Sequence, residues 1–298
     1  MPSTTVLNEP KNYEEECISL TEWTVDAVHD IPLIWRFMSD LGGCTSNGKV
    51  IWRLEDKQIA SILVDGRFRD STPDNKKSIV MGSPGIGKST LLCVMAFYFV
   101  FQYKKNVLVY RQLYKFEQRN CLFYVGYEDG KVVQFAVQRC KSPIVINIYR
   151  ERIYQQGISN AWLLLDGFFR YQDIPVGVRT FEMLATSQLV DLKSGERTDV
   201  YCCLLPCWSK KDLWSMGSRI YKFATEDMEE CFYYSGGSVR EFTLAILEDI
   251  RNAIDGATSG VDDVSIHSSV LTGKSQVDQL RHTFVTDAND TNPFIARL

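Results

Sequence analysis

Short apolar runs of strand length alternate with stretches of helical pattern through the middle of the chain. Ser78–Met81, Asn106–Tyr110 and Trp162–Leu165 are β-branched or apolar runs, and Thr90–Phe101 has the pattern of a buried helix. Two further strand-length runs are Thr180–Thr186 and Val200–Leu205. Strands that alternate with helices in this way predict an α/β fold with a mainly parallel sheet.

The regions around these runs have different patterns. Residues 1–20 are polar and acidic, which favours a loose arm at the start of an accessory segment of uncertain fold. Cys121–Val137 predicts two strands that turn at Asp129-Gly130. From residue 209 onward the pattern becomes helical, and the predicted helices are Ser209–Phe223, Glu226–Tyr233 and Ser238–Ile254.

Composition narrows the class of protein. The 298 residues are 45% hydrophobic and 23% charged, which excludes a mainly disordered chain, and the net charge of −4 excludes a globally basic nucleic-acid coat. Nine cysteines without a CxxC pair, with only three histidines, argue against a zinc site and fit reduced thiols. No secretory signal and no bilayer-length apolar run is visible, so we expect an intracellular protein without a membrane partner.

A glycine-rich octapeptide follows the strand Ser78–Met81. Residues 82–89 read GSPGIGKS and fit the phosphate-loop pattern GxxxxGK[ST] at every fixed position, between a predicted strand and a predicted helix. The glycines let the backbone wrap a polyphosphate, Lys88 would reach the β- and γ-phosphates, and the Ser89 hydroxyl would hold Mg²⁺. The alternative is a glycine-rich turn that matches by chance. The predicted nucleotide-binding residues are Gly82, Ser83, Pro84, Gly85, Ile86, Gly87, Lys88, Ser89 and Thr90.

The second half of a nucleotide site is predicted at the end of another apolar strand. Trp162–Leu165 ends in Asp166, and ligands of open α/β sheets bind at the carboxyl ends of strands, so Asp166 would hold Mg²⁺ together with Ser89. Many such ATPases place a glutamate next, to polarise the attacking water, but here the residue is Gly167. The acids that could replace that glutamate, each more typical of a solvated surface, are Glu182, Glu128 and Asp129.

Two further positions could respond to the γ-phosphate. The strand that ends at Thr186 and Ser187 is expected between the phosphate loop and Asp166, where AAA-type ATPases place their first sensor; the alternative is an ordinary strand-end turn. Arg240 lies in the first turn of a predicted helix, where it is either a lid arginine or a surface arginine. The predicted catalytic residues are Lys88, Asp166, Thr186, Ser187 and Arg240.

The order of these motifs resembles a known family. GSPGIGKS, LLLDG, LATSQ, LLPCWSKKDL and YYSGGSVREF are similar, in this order, to the ATPase module of Crinkler (CRN) effectors and retrotransposon-hot-spot (RHS) proteins, which is AAA- and STAND-like. The resemblance implies a three-layer αβα sandwich of the P-loop NTPase type. Its implied parts are an accessory segment (1–77), an ATPase core (78–208), a helical lid (209–255) and a tail (256–298) that resembles the start of a truncated following domain.

The resemblance also sets limits on the expected function. Longer relatives carry a nuclease-like or kinase domain after the ATPase, and Crinklers carry a targeting header before it. Neither pattern is visible in this sequence, so we expect no nuclease activity from this chain. Secretion and delivery to a host nucleus follow from analogy alone.

The expected function is an ATP-binding, Mg²⁺-dependent and slowly hydrolysing switch. The alternatives are a nucleotide-dependent interaction protein without turnover and a small-molecule kinase. A protein partner is expected, or a homo-oligomer in which a neighbour supplies an arginine; the candidates are Arg150, Arg170 and Arg179. Lys104-Lys105 and Arg111–Arg119 form a basic stretch that is either a solvated face or a contact for nucleic acid.

Overall fold

The computed structural model describes residues 2–45, 47–68, 77–113, 120–157, 160–168, 174–187 and 200–243. These residues divide into two compact units. The first unit contains the described residues up to Met81 and those from Lys88 to Cys203, and the second contains Gly82–Gly87 and the residues from Leu204 onward.

An eight-stranded mixed sheet forms the centre of the first unit. Its order is β1-β7-β6-β5-β8-β9-β4-β10, and a separate small sheet pairs β2 with β3. The strands are β1 (Thr5–Val6), β2 (Val28–Asp30), β3 (Lys49–Ile51), β4 (Lys77–Met81), β5 (Asn106–Arg111), β6 (Cys121–Glu128), β7 (Lys131–Gln138), β8 (Ala161–Asp166), β9 (Met183–Thr186) and β10 (Val200–Leu204). Strands β5, β8, β9 and β4 are parallel neighbours, and β6, β7 and β1 extend them by antiparallel pairing. The predicted α/β class, with a mostly parallel sheet, is confirmed.

Helices cover both faces of this sheet. The helices of the described chain are α1 (Pro10–Cys17), α2 (Pro32–Met38), α3 (Leu54–Ser61), α4 (Lys88–Tyr103), α5 (Ser142–Gln156), α6 (Lys210–Met216), α7 (Thr225–Ser235) and α8 (Val239–Phe242). Trp162 of β8 contacts Phe99 of α4, with ring centroids 5.2 Å apart. The next residue, Leu163, points to the opposite face and joins a core with Ile148 and Tyr149 of α5. This arrangement is compatible with a three-layer sandwich.

Helix α4 is buried on every side because other elements surround it. The predicted helix Thr90–Phe101 is confirmed and begins two residues earlier, and its residues from Leu91 to Phe101 are all buried. It packs against β5, β6, β8 and β9, and also against the N-terminal helices α1, α2 and α3. An amphipathic pattern is absent from α4 because both of its faces lie against protein.

The N-terminal residues are part of the first unit. Strand β1 pairs with β7, and the Tyr13 ring of α1 stacks on Phe97 of α4 with centroids 5.4 Å apart. Cys17 and Leu20 are fully buried. The prediction that residues 1–20 form a loose arm is therefore wrong, because Tyr13, Cys17 and Leu20 are buried and α1 packs against α4.

The hairpin predicted at Asp129-Gly130 is confirmed, with β6 and β7 paired along their length. The strand predicted over Thr180–Thr186 begins only at Met183. A short 3₁₀ turn at Val176–Val178 precedes it, and the Thr180 carbonyl accepts a hydrogen bond from the Tyr149 hydroxyl instead of joining the ladder.

The second unit is helical after its first residues. Helix α6 continues into a π-helical turn at Gly217–Tyr221, and α7 ends at Gly236. The predicted helices are confirmed as far as residue 243; the rest of Ser238–Ile254, and the tail 256–298, lie outside the described residues. None of the helices in the described part of the chain has the length and the apolar character that crossing a membrane requires.

Candidate functional site

Four parallel strands end at one edge of the sheet, and their last residues form the floor of the candidate site. Asp166 of β8 lies beside Arg111 of β5 on one side and Ala185 of β9 on the other. Thr186, the last residue of β9, lies beside Met81 of β4. The strand that ends in Thr186 therefore lies between β4 and β8, as the sequence predicts, and all four ends face the same way.

A hydrogen bond joins the two predicted metal ligands. The Ser89 hydroxyl, in the first turn of α4, donates to Oδ1 of Asp166 at 2.9 Å, although the two residues are 77 positions apart. Asp166 is 4% exposed and Lys88, one residue before Ser89, is 8% exposed. A half-buried hydroxyl, a buried carboxylate and a buried lysine are thereby brought to the N-terminal end of α4.

The second carboxylate oxygen of Asp166 belongs to an ion pair that the sequence did not predict. Arg111 Nε donates to Asp166 Oδ2 at 2.8 Å, and both side chains are buried. Arg111 Nη1 also donates to the carbonyl oxygens of Leu41 and Gly43, at 2.6 and 2.8 Å. The placement of Arg111 on a solvated basic face is wrong. The signal that could have found it is its position, directly after the buried run Asn106–Tyr110.

The rest of the predicted basic stretch divides into two parts. Residues 114–119 lie outside the described residues. Lys104 and Lys105 each lie over an aromatic ring, that of Tyr127 and that of Trp162, at 5.2 and 5.3 Å from the centroid. These lysines are near the end of the sheet opposite Asp166, because they precede the first residue of β5.

Burial disfavours the thiolate form of the cysteines around the Asp166 carboxylate. It raises the pKa of the Cys44 thiol to about 12 and that of Cys121 to about 11. The pKa of Cys93 is raised as well, again by burial. A raised pKa lowers the reactivity of a thiol, because the thiolate is the nucleophile.

The donor set at Ser89 and Asp166 fits one kind of metal ion best. In the described part of the chain, no three His, Cys, Asp or Glu side chains are grouped so that they could hold a metal ion by themselves. Mg²⁺ is commonly bound by one or two protein oxygens, with phosphate oxygens and water completing the octahedron. Ser89 and Asp166 supply oxygens of this type, so they could hold Mg²⁺ that a polyphosphate brings with it.

The first six residues of the glycine-rich loop lie in the second unit, where the residues after β10 pack on them. The carbonyl oxygen of Ile86 accepts a hydrogen bond from Trp208 Nε1 at 2.9 Å, and that of Gly85 accepts one from the Arg240 backbone N–H at 3.2 Å. Gly85 has a φ of +75°, and a Cβ there would lie 2.2 Å from the Ser238 hydroxyl oxygen. The approach of residues 238–240 therefore requires glycine at position 85.

The other residues of the glycine-rich loop include a second position that requires glycine. A Cβ on Gly82 would lie 2.4 Å from the Leu205 carbonyl oxygen, so glycine is required there also. Ser83, Pro84 and Gly87 are half-buried. Gly87 is followed directly by Lys88, the first residue of α4.

Arg240 reaches the loop with its backbone, while its side chain has a different partner. Its guanidinium Nε donates to Glu241 Oε1 at 2.9 Å, and half of the side chain is exposed. The second oxygen of Glu241 accepts a hydrogen bond from Ser238. Glu241 was not among the predicted residues, and it holds the arginine that is predicted to respond to the γ-phosphate.

The predicted sensor residues lie at the floor of the site. The Thr186 hydroxyl donates to the Phe168 carbonyl oxygen at 2.8 Å and is buried, and Ser187, which follows, is half-buried. Thr90, the last predicted nucleotide-binding residue, donates instead to the Cys44 carbonyl oxygen. Of the arginines proposed to act on a neighbouring subunit, Arg150 is exposed, Arg179 donates to the Ile174 carbonyl oxygen, and Arg170 lies outside the described residues.

Gly167 follows Asp166 in a conformation that restricts this position to glycine. Its φ is +79°, and a Cβ would lie 2.1 Å from the carbonyl oxygen of Gln112. That carbonyl belongs to the backbone, so it moves only if the end of β5 moves. A glutamate in this place would need a different path of the chain.

The substitute bases are at the other end of the sheet. Glu128 ends β6, which runs antiparallel to β5, so Glu128 and Asp129 lie opposite the Asp166 edge. Glu128 forms an ion pair with the buried Arg152. Glu182 lies level with Leu163, three residues and therefore about 10 Å from the edge. None of these three acids therefore lies beside Asp166.

Comparison with known proteins identifies no family for this chain. Models of known protein families give no match to the chain, and neither do curated protein sequences.

The placement of Glu182 as a solvated surface acid is wrong. Its carboxylate accepts the Leu163 backbone N–H at 2.5 Å, and Lys105 and Tyr149 are its charged and titratable neighbours. Desolvation by burial raises the pKa of Glu182 to about 8, although the hydrogen bond and Lys105 oppose this. The carboxyl group is therefore largely protonated in the folded protein at neutral pH.

Stability should fall as the pH rises from 5 to 8, because over this window the folded protein keeps a proton on Glu182 that the unfolded chain has released. We expect Glu182→Gln, which keeps an acceptor for Leu163, to remove about 2 kcal/mol of this pH dependence in urea unfolding curves. Glu151→Gln, on the exposed side of α5, is the matched control. Identical pH dependence in wild type and Glu182→Gln would contradict the assignment.

Proposed function

We propose that the chain is a P-loop NTPase that binds ATP with Mg²⁺ and hydrolyses it slowly, acting as a nucleotide-controlled switch. The observation that carries the proposal is the 2.9 Å hydrogen bond from Ser89 to Asp166. The two residues come from separate motifs, each recognised on local grounds, and a nucleotide site gives a reason for both to be in contact. The strand order supports the proposal too, since Thr186 ends a strand between β4 and β8.

Each residue has a defined task in this proposal. The backbone N–H groups of the glycine-rich loop and the N-terminus of α4 would surround the phosphates, and the buried ammonium of Lys88 would neutralise them. Ser89 and Asp166 would hold the metal, which neutralises charge on the phosphates when it is bound. Thr186 and Ser187 are proposed to respond to the γ-phosphate, and Arg240, which is paired with Glu241, is proposed as the arginine of the lid.

Binding of ATP in the presence and absence of Mg²⁺ tests the proposal. We expect wild type to bind a fluorescent ATP analogue, and Lys88→Ala to weaken binding at least about 100-fold, a loss of roughly 3 kcal/mol. Ser89→Ala should abolish the gain in affinity that Mg²⁺ gives while leaving binding in EDTA nearly unchanged. Lys211→Ala, on a helix of the second unit, is the control. Equal affinity of wild type and Lys88→Ala would overturn the proposal.

A second candidate function is a nucleotide-dependent interaction protein without useful turnover. Gly167 favours it, because the position that supplies the general base in many related ATPases accepts only glycine here. Tight binding of ATP with a turnover no faster than that of Lys88→Ala would select this candidate. A small-molecule kinase would instead transfer the γ-phosphoryl group to an added acceptor, and a screen of small alcohols and acids with labelled ATP would detect that transfer.

The similarity of the motif order to the Crinkler and RHS module adds a proposed context, which is an effector whose ATPase controls a partner. We propose that the lid changes its contacts when the γ-phosphate leaves, and that a protein partner or a second copy of the chain responds. Sedimentation with ATP, with ADP and without nucleotide tests this, because a nucleotide-controlled oligomer must differ between the three conditions. Binding of nucleic acid through Lys104 and Lys105 would have to be salt-sensitive and lost on charge reversal.

A further inference from the structure

A single guanidinium connects the candidate metal site to the N-terminal part of the chain. Arg111 donates with Nε to Asp166 and with Nη1 to the carbonyl oxygens of Leu41 and Gly43. All three hydrogen bonds are 2.8 Å or shorter, and the Arg111 side chain is only 3% exposed. The guanidinium therefore has one defined orientation, and Asp166 has one oxygen fixed by it.

Residues 41–44, which we term the 41–44 turn, are also fixed from other sides. The Cys121 thiol donates to the Leu41 carbonyl oxygen, and the Thr90 hydroxyl donates to the Cys44 carbonyl oxygen. Thr90 follows Ser89 directly on α4. The turn thus contacts α4, which presents Ser89, through Thr90, and it is linked to Asp166 of β8 through Arg111 of β5.

The two oxygens of the Asp166 carboxylate have different partners, and this has a chemical consequence. Oδ2 is occupied by Arg111, and Oδ1 faces the Ser89 hydroxyl. An arginine fork can hold a carboxylate and two carbonyl oxygens at once because its donors are fixed in a plane. The fork keeps Oδ1 aimed at the position that a metal shared with Ser89 would occupy. In metal sites, partners that orient a ligand in this way change metal affinity by about 10–100-fold.

We propose that Arg111 is the positioning residue for the metal carboxylate, and that the 41–44 turn completes the Mg²⁺ site by holding Arg111. The inference rests on the nucleotide site proposed above. It changes the part that residues 1–77 play: instead of an accessory segment, they supply backbone acceptors without which Asp166 is not oriented. The ligand concerned is Mg²⁺ bound to a nucleoside triphosphate.

The test compares Arg111→Lys with wild type in the full chain, using the dissociation constant of a fluorescent ATP analogue in Mg²⁺ and in EDTA. Lysine keeps the charge, but its ammonium cannot reach Asp166 and both carbonyl oxygens together. We expect the affinity gain from Mg²⁺ to fall about 10-fold or more, while affinity in EDTA changes less than about twofold. Amide hydrogen exchange across residues 39–45 should become faster in the same variant.

The controls separate this inference from the function that it rests on. Arg36→Lys, an exposed arginine of α2, should leave both affinities and the exchange unchanged. If wild type shows the gain from Mg²⁺ and Arg111→Lys keeps all of it, the positioning role is wrong and the nucleotide site stands. If Arg111→Lys weakens binding equally in Mg²⁺ and EDTA, Arg111 supports the fold only. If wild type binds no ATP in either condition, both proposals fail.

Discussion

Asp166→Leu should lower the free energy of unfolding by about 3–5 kcal/mol, because it would leave the Arg111 guanidinium buried without its carboxylate. The side chains of the pair are 3% and 6% exposed, so water cannot take over the hydrogen bonds that the substitution removes. The loss should appear in urea unfolding followed by circular dichroism. It concerns the fold and does not depend on whether the site binds a nucleotide.

The double variant Arg111→Met/Asp166→Leu tests whether the unpaired charge of Arg111 causes the loss of stability. Replacing both charges with apolar side chains removes the unpaired charge, so the double variant should be more stable than Asp166→Leu alone. It should not regain the full stability of wild type, because the Leu41 and Gly43 carbonyl oxygens lose their donor. We expect a coupling free energy of about 2 kcal/mol or more between the two positions.

An exposed ion pair of the same chain provides the control. Lys49 and Asp30 are 3.9 Å apart and about half exposed, so Asp30→Asn should change stability by less than about 0.5 kcal/mol. Additive effects at Arg111 and Asp166 would contradict the view that their ion pair, rather than the size of each side chain, determines stability here.

The parts of the fold that follow from local pattern could be predicted from the sequence. The strands before and after α4, the helix itself and the hairpin at Asp129-Gly130 each depend on a few neighbouring residues, and all are confirmed. The position of Thr186 between two other strand ends was predicted as well. In that case the signal was a polar residue at the end of an apolar run, together with the resemblance to AAA-type ATPases.

Long-range partners could not be predicted in this way. Arg111 appears in a stretch of basic and aromatic residues, and nothing in that stretch indicates that its partner is Asp166 or that its other acceptors are carbonyl oxygens near residue 42. Tyr13 is surrounded by acidic residues, yet it stacks on Phe97. The backbone of Glu182 pairs with Ser78 on one side and with Leu163 on the other, and its half-buried carboxylate accepts the Leu163 N–H. Neither composition nor residue spacing indicates which backbone groups will pair with a side chain. A charged side chain that has such partners is therefore easily predicted to be solvent-exposed.

The restriction of position 167 to glycine could not be predicted either, because it comes from a residue at the end of the neighbouring strand. The sequence identified the absence of a glutamate after Asp166 but not its cause. In the structure, the Gln112 carbonyl oxygen occupies the space of any Cβ at position 167. The preference for glycine at this position therefore depends on the path of the chain after β5, which no local pattern of the sequence indicates.

Gly167→Glu should consequently destabilise the protein without raising ATP turnover. A positive φ costs a side-chain-bearing residue about 1–2 kcal/mol, and the 2.1 Å approach of the Gln112 oxygen adds to this, so we expect a total loss of about 3 kcal/mol. Gly130→Glu, in the turn between β6 and β7, is the control. Its φ is +73°, and a Cβ there meets nothing within 4 Å, so it carries the conformational cost alone.

The two glycine variants together decide why the chain has no glutamate after Asp166. If Gly167→Glu and Gly130→Glu lose equal stability, the backbone after β5 gives way, and the close approach to Gln112 does not exclude a glutamate. If Gly167→Glu hydrolyses ATP faster than wild type, the new carboxylate reaches the attacking water, and slow turnover then has its cause in the missing side chain alone. A larger stability loss at Gly167 with unchanged turnover means that the path of the backbone itself keeps this site from gaining a general base.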